Sequence, residues 1–141
     1  MGRTVIALVI SALALVGVLA ANAATARTVK FEVALKGTNE KPAAPASNKG
    51  MVELTLNTTT GKVCWDFKLA KIDGKPSQAH IHKGKAGVSG NIVVPLGANY
   101  KRQGCTSAAK SLVRSIAGHP AFYYVNVHNA KHPAGAMRGQ L

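Results

Sequence analysis

Acidic side chains are few: 5 Asp+Glu stand against 18 Lys+Arg in 141 residues, a formal net charge of +13. Acid/base work by paired carboxylates, as in glycoside hydrolysis, has little support, because no such pair occurs in a glycine-rich or aromatic setting. Cysteine is scarce too, with 2 residues, Cys64 and Cys105. Neither lies near a histidine in sequence, which disfavours a mixed Cys/His metal site. Ser77 and Ser89 have no nucleophile elbow and no Asp partner. Gly84, Gly87 and Gly90 fit turn chemistry rather than a phosphate-binding or dinucleotide fingerprint. Internal repeats and low-complexity tracts are absent.

What is present begins with an address. Arg3 precedes an apolar run from Val5 to Ala21, and Ala21-Asn22-Ala23 follows as a small-residue site. A basic start, an apolar middle and an A-x-A site predict a secretory signal peptide, residues 1–23, cleaved after Ala23. The run is 17 residues long, short of the ~20 that span a bilayer, so no transmembrane span is expected after cleavage. The remaining domain, residues 24–141, has 118 residues, 17 of them basic and 5 acidic, a net of +12. Such a charge would ordinarily suggest nucleic acid. Export to the periplasm or the extracellular space removes nucleic acid from the expected partners, and the lysines are dispersed along the chain.

An exported chain with an even cysteine count pairs its cysteines, which predicts a Cys64–Cys105 disulfide. Closing a loop of about 42 residues stabilises by about 4 kcal/mol through loop entropy.

Alternation of apolar and polar residues predicts a strand over residues 28–36, with Val29, Phe31, Val33 and Leu35 on one face. Val52, Leu54 and Leu56, then Val63, Trp65, Phe67 and Leu69, alternate on either side of Thr58-Thr59-Thr60-Gly61, a β-hairpin. Short strands are expected over residues 78–82, 91–96, 122–128 and 136–141. Ala109, Leu112, Val113 and Ile116 recur at three and four, which predicts one amphipathic helix over 106–118, capped by Thr106 or Ser107 and ended by Gly118. Many short strands, one short α-helix and Gly/Pro-rich turns give a mainly β fold. The expectation is an antiparallel β-sandwich or small barrel, of immunoglobulin or superoxide dismutase type.

Five histidines remain: His80, His82, His119, His128 and His132. Positions i and i+2 of a strand share a face, so His80 and His82 present two imidazoles side by side. A second strand bringing His128 alongside completes three nitrogen ligands, a set suited to copper or zinc. Asn126 or backbone carbonyls are placed to orient the rings, and His132 is a further candidate ligand. Ligand imidazoles must be neutral, so affinity should weaken below about pH 6.

The segments that carry these histidines also carry a resemblance. Ala79-His80-Ile81-His82-Lys83-Gly84 with Gly87 and Gly90, and Tyr124-Val125-Asn126-Val127-His128 followed by His132-Pro133, Gly135 and Arg138-Gly139-Gln140-Leu141, resemble the CHRD domain. That module is named from chordin and is common in exported bacterial proteins. Leu35-Lys36-Gly37-Thr38-Asn39-Glu40-Lys41-Pro42 is similar to its opening motif, although Lys41 stands where a hydrophobic residue is usual. The resemblance spans about residues 28–141 and implies a compact, mostly β domain outside the cytoplasm, with no defined activity. A narrower likeness covers four residues: His80, His82, His128 and Arg138 follow the order of the copper ligands and active-site arginine of Cu,Zn superoxide dismutases. It implies, as a third reading, copper-dependent superoxide dismutase-like activity at a site where Arg138 guides the anion. The bridging histidine of a zinc partner site has no counterpart.

Together these readings predict an exported domain that binds a transition metal, copper by preference and zinc as the alternative, through His80, His82 and His128. The competing expectation is a non-enzymatic module whose basic surface, with Lys71, Lys75, Lys83 and Lys85, meets an anionic cell-envelope polymer or lipid.

Overall fold

The computed structural model describes residues 27–141; the signal peptide expected over 1–23 lies outside them. The strands are β1 (Thr28–Lys36), β2 (Lys49–Asn57), β3 (Lys62–Lys71), β4 (Pro76–Lys83), β5 (Ile92–Pro95), β6 (Gln103–Ser107), β7 (Tyr123–Asn129) and β8 (Met137–Gln140). One α-helix, α1 (Lys110–Gly118), lies between β6 and β7. All eight strands join one antiparallel sheet in the order β5-β4-β7-β8-β1-β2-β3-β6, which curls into a nearly closed small barrel. Residues 96–102 bridge its two edges: Leu96 N and Tyr100 N donate to Ala79 O and Ser77 O, while Phe67 N donates to Arg102 O. Full pairing or bridging of this kind leaves little free strand edge.

Alternation decides which face enters the barrel. Val33 and Leu35 of β1, Val52, Leu54 and Leu56 of β2, and Val63, Trp65 and Phe67 of β3 are buried in one cluster, which Val113 and Ile116 of α1 also join. The hairpin turn between β2 and β3 is shaped by Asn57, whose Oδ1 accepts from the N–H groups of Thr59 and Thr60. Cys64 and Cys105 face each other directly in the β3–β6 register and form the expected disulfide.

The helix starts later than its sequence pattern suggests. Thr106 and Ser107 do not cap it; they belong to β6, opposite Val63 and Lys62. The disulfide two residues back holds this polar segment in the sheet, and α1 begins after Ala109 with no side-chain cap. No helix among the described residues is long and apolar enough to cross a membrane.

The half of the sheet formed by β4, β7 and β8 is buried on both faces. Its inner face is apolar, with Ala79, Ile81, Tyr123, Val125, Val127 and Met137 in the core. Its outer face is polar: His80 and His82 from β4, Tyr124, Asn126 and His128 from β7, and Arg138 and Gln140 from β8. His128 and Gln140 are partly buried, but His80, His82, Tyr124, Asn126 and Arg138, at 2–7% exposure, need a cover, and the chain supplies one from the β4–β5 connection, residues 84–91.

Candidate metal centre

The β4–β7 register sets the geometry. His80 stands opposite Asn126, His82 opposite Tyr124, and His128 opposite Gln78, one pleat further along. Same-face spacing of two along β4, with antiparallel pairing to β7, therefore gathers three imidazoles at one place on the outer face. One nitrogen from each of His80, His82 and His128 lies within 4.8 Å of the others, and His80 Nδ1 is 3.1 Å from His128 Nε2. The three residues named from sequence come together as expected.

Two rings are held by backbone carbonyls. His82 Nδ1 is 2.8 Å from Gly90 O, and His128 Nδ1 is 2.9 Å from Pro133 O. A carbonyl can only accept, so each Nδ1 carries the hydrogen and each Nε2 of the neutral ring carries the lone pair. Metal-ligating histidines are characteristically arranged this way, one nitrogen fixed by an outer acceptor and the other free to coordinate. His82 Nε2 is buried with no hydrogen-bond partner, a costly state for an isolated polar atom.

Burial favours the neutral rings. It lowers His80 from the ordinary 6.5 to about 4, helped by the neighbouring His128 and His82. Burial lowers His82 and His128 as well, opposed by the Gly90 and Pro133 carbonyls. Asn126 also favours protonated His82, yet its Oδ1 closes no hydrogen bond; the carbonyls orient the rings. At neutral pH the cluster is three uncharged imidazoles, with His128 Nε2 accepting a hydrogen bond from His80 Nδ1 that a bound cation would replace.

The cover over this face is tied down by the same side chains. Arg138 donates to Lys85 O at 3.0 Å and Val88 O at 2.8 Å, and Gln140 donates to Gly84 O at 3.1 Å. Gly90 N donates to the Tyr124 hydroxyl at 3.1 Å. Gly90 must be glycine here, because a Cβ would run into the carbonyl of Lys83.

Sequence reasoning left three members of this assembly without a role. Tyr124 lies between two partners: the His82 ring stacks on it from β4, and the Arg138 Cζ stands 3.4 Å from its ring centroid from β8. Glu40, 3% exposed, is pushed up to about 7 by burial, with Arg138 pulling the other way. Gly135, at φ +146°, makes room for it, since a Cβ there would overlap the Glu40 carboxyl group. The only sequence signal for these residues is their place in the segments that carry the resemblance.

Other expectations resolve differently. His132 is not brought into the cluster; its Nε2 is 3.6 Å from Asp73 Oδ2. Arg138 is 2% exposed and clamps the loop carbonyls. Asp66 pairs with Arg102 and Glu53 with Lys68.

Comparison with known proteins agrees with the motifs. No curated protein and no solved structure gives a significant match. The CHRD domain family profile matches residues 31–141, a span that takes in Glu40, the three histidines, Tyr124 and Arg138. The chain belongs to the CHRD domain family.

Proposed function

We propose that this protein is an exported CHRD domain that holds one transition-metal ion, copper by preference, through His80, His82 and His128. The observation that carries the reading is the convergence of three imidazole nitrogens within 4.8 Å, two of the rings being fixed through Nδ1 by backbone carbonyls. Export is supported by the leader-like start of the sequence and by the disulfide, which suits an oxidising compartment. The protein's own groups do the preparatory work. Burial keeps the imidazoles neutral, the carbonyls of Gly90 and Pro133 aim them, and the loop clasped by Arg138 limits water.

The test is metal retention. Mature protein exposed to copper in either oxidation state, or to zinc, and then desalted should keep one equivalent at neutral pH, and His82→Ala should keep little. Wild-type protein that emerges metal-free under all three conditions would overturn the reading.

A second reading is favoured by the outer edge of the cover. Val88 and Phe122 are exposed there, and Lys85 Nζ lies 5.0 Å above the Phe122 ring. Cations beside apolar groups suit an anionic envelope polymer or lipid surface. Retention on anionic vesicles that falls steeply with salt and ignores His82→Ala would support it.

A further inference from the structure

Resting on the metal reading above, the oxidation state of the ion follows from charge. A metal centre can offset a cation's charge with thiolates or carboxylates, and this one has neither. Both cysteines are joined to each other on β3 and β6. All five carboxylates of the chain lie within the described residues, and none joins the histidine cluster. Glu53, Asp66 and Asp73 pair with Lys68, Arg102 and Lys131, Glu32 is exposed on β1, and Glu40, packed at Gly135, lies near Arg138 rather than among the histidines. Any ion held by His80, His82 and His128 therefore keeps its full formal charge in the ligand shell.

Two further features penalise each added unit of that charge. His80 and His82 are only 7% exposed, and the cost of taking an ion out of water grows with the square of its charge, about fourfold from monovalent to divalent. The second feature is a fixed cation. Arg138 pairs in register with Asn126, which pairs with His80, and its guanidinium packs on Tyr124, whose ring stacks with that of His82.

We propose that the His80–His82–His128 centre is a cuprous site: it selects Cu(I) over Cu(II) and Zn(II) because three neutral imidazoles, in a buried position beside Arg138, supply no negative charge. Imidazole is an adequate donor for all three ions, so discrimination comes from the surroundings and not from ligand type. No electron transfer is part of the proposal; the ion is supplied reduced and held reduced.

The experiment is a set of competition titrations at one pH. Cu(I) is partitioned anaerobically between mature protein and bathocuproine disulfonate, while Cu(II) and Zn(II) are partitioned against chelators of known affinity. The expected result is Cu(I) tighter than either divalent ion by on the order of 10³-fold, which raises the Cu(II)/Cu(I) potential by about 59 mV per tenfold. Equal or tighter binding of Cu(II) or Zn(II) overturns the oxidation-state inference and leaves the metal reading intact; binding of none of the three overturns both. Arg138→Met should narrow the preference by about tenfold while Arg138→Lys, which keeps the charge and loses the fork, preserves it. Equal behaviour of the two variants removes Arg138 from the account. Should these variants fail to fold, His128→Asp places one negative charge in the ligand set and should shift preference toward the divalent ions by at least about tenfold. An unchanged ratio in His128→Asp overturns the charge argument.

Discussion

The imidazole of His82 lies flat against the phenol of Tyr124, with ring centroids 4.8 Å apart and planes 9° from parallel. The contact joins a ligand on β4 to the side chain that supports Arg138 from β7, so the metal centre and the clasp of its cover share one aromatic surface.

Tyr124 can be divided by two substitutions. Tyr124→Phe keeps the stack and loses the hydroxyl bond from Gly90 N, so it should lower stability by about 1 kcal/mol and leave metal affinity nearly unchanged. Tyr124→Leu removes the surface as well and should weaken metal binding by about 10–100-fold. Equal affinities for the two variants, measured by chelator competition, would show that the stack does not position His82.

The acid response of the metal-free protein should contain two opposed contributions. His80 has a folded pKa of about 4 against an ordinary 6.5, so its contribution is full above 6.5 and is lost as pH falls toward 4. His82 and His128, lowered by burial, act with the same sign. Glu40 has a folded pKa of about 7 against an ordinary 4.5; its contribution, about 3 kcal/mol, is full below 4.5 and is lost as pH rises toward 7. Urea unfolding of Glu40→Gln between pH 4.5 and 6.5 should therefore show stability falling more steeply on acidification than in wild type. Identical slopes would mean that Glu40 titrates normally.

The same histidine shifts move the expected loss of metal. An ordinary imidazole surrenders its ligand role below about pH 6, but protons compete poorly for rings held neutral by burial. Half-release should fall below pH 6 by roughly one pH unit, read as metal passing a desalting column across a pH series. Half-release at or above pH 6.5 would contradict the burial of these rings.

Gly135→Ala should destabilise by about 2–4 kcal/mol, because φ +146° is costly for any residue with a Cβ and the added methyl meets the Glu40 carboxyl. Removing that carboxyl side chain in Gly135→Ala/Glu40→Ala should recover part of the loss. Strictly additive melting temperatures would show that the two residues do not meet.

Replacing both cysteines by alanine should lower the unfolding free energy by about 4 kcal/mol without changing metal stoichiometry. The disulfide joins β3 to β6, whereas the ligands stand on β4 and β7. Loss of metal by the folded double variant would tie the two regions together.

Where one face of a strand meets solvent, the sequence announces the strand. Val29 to Leu35, the Val52 to Leu69 hairpin and the His-x-His spacing were legible for that reason. β6 was not, because Gln103-Gly104-Cys105-Thr106-Ser107 has no apolar alternation and is a strand through its pairing with β3 and its disulfide. Glu40 and Tyr124 were hidden as participants by a different cause. Their burial depends on a cover made of glycine-rich loop, and hydrophobic period says nothing about a polar face roofed from outside. The three ligands could be named because strand period alone places His80 and His82 together, and only the partner strand had to be supplied.

The side-chain hydrogen bonds that hold the cover at residues 84–91 reach its main chain: Arg138, Gln140, Tyr124 and His82 all bond backbone atoms of Gly84, Lys85, Val88 or Gly90. The side chains at 85, 86, 88 and 89 take no part in these bonds. One interior can wear many exteriors, and a recognition peptide or a different charge pattern could be grafted at these four positions while the chemistry underneath stays the same.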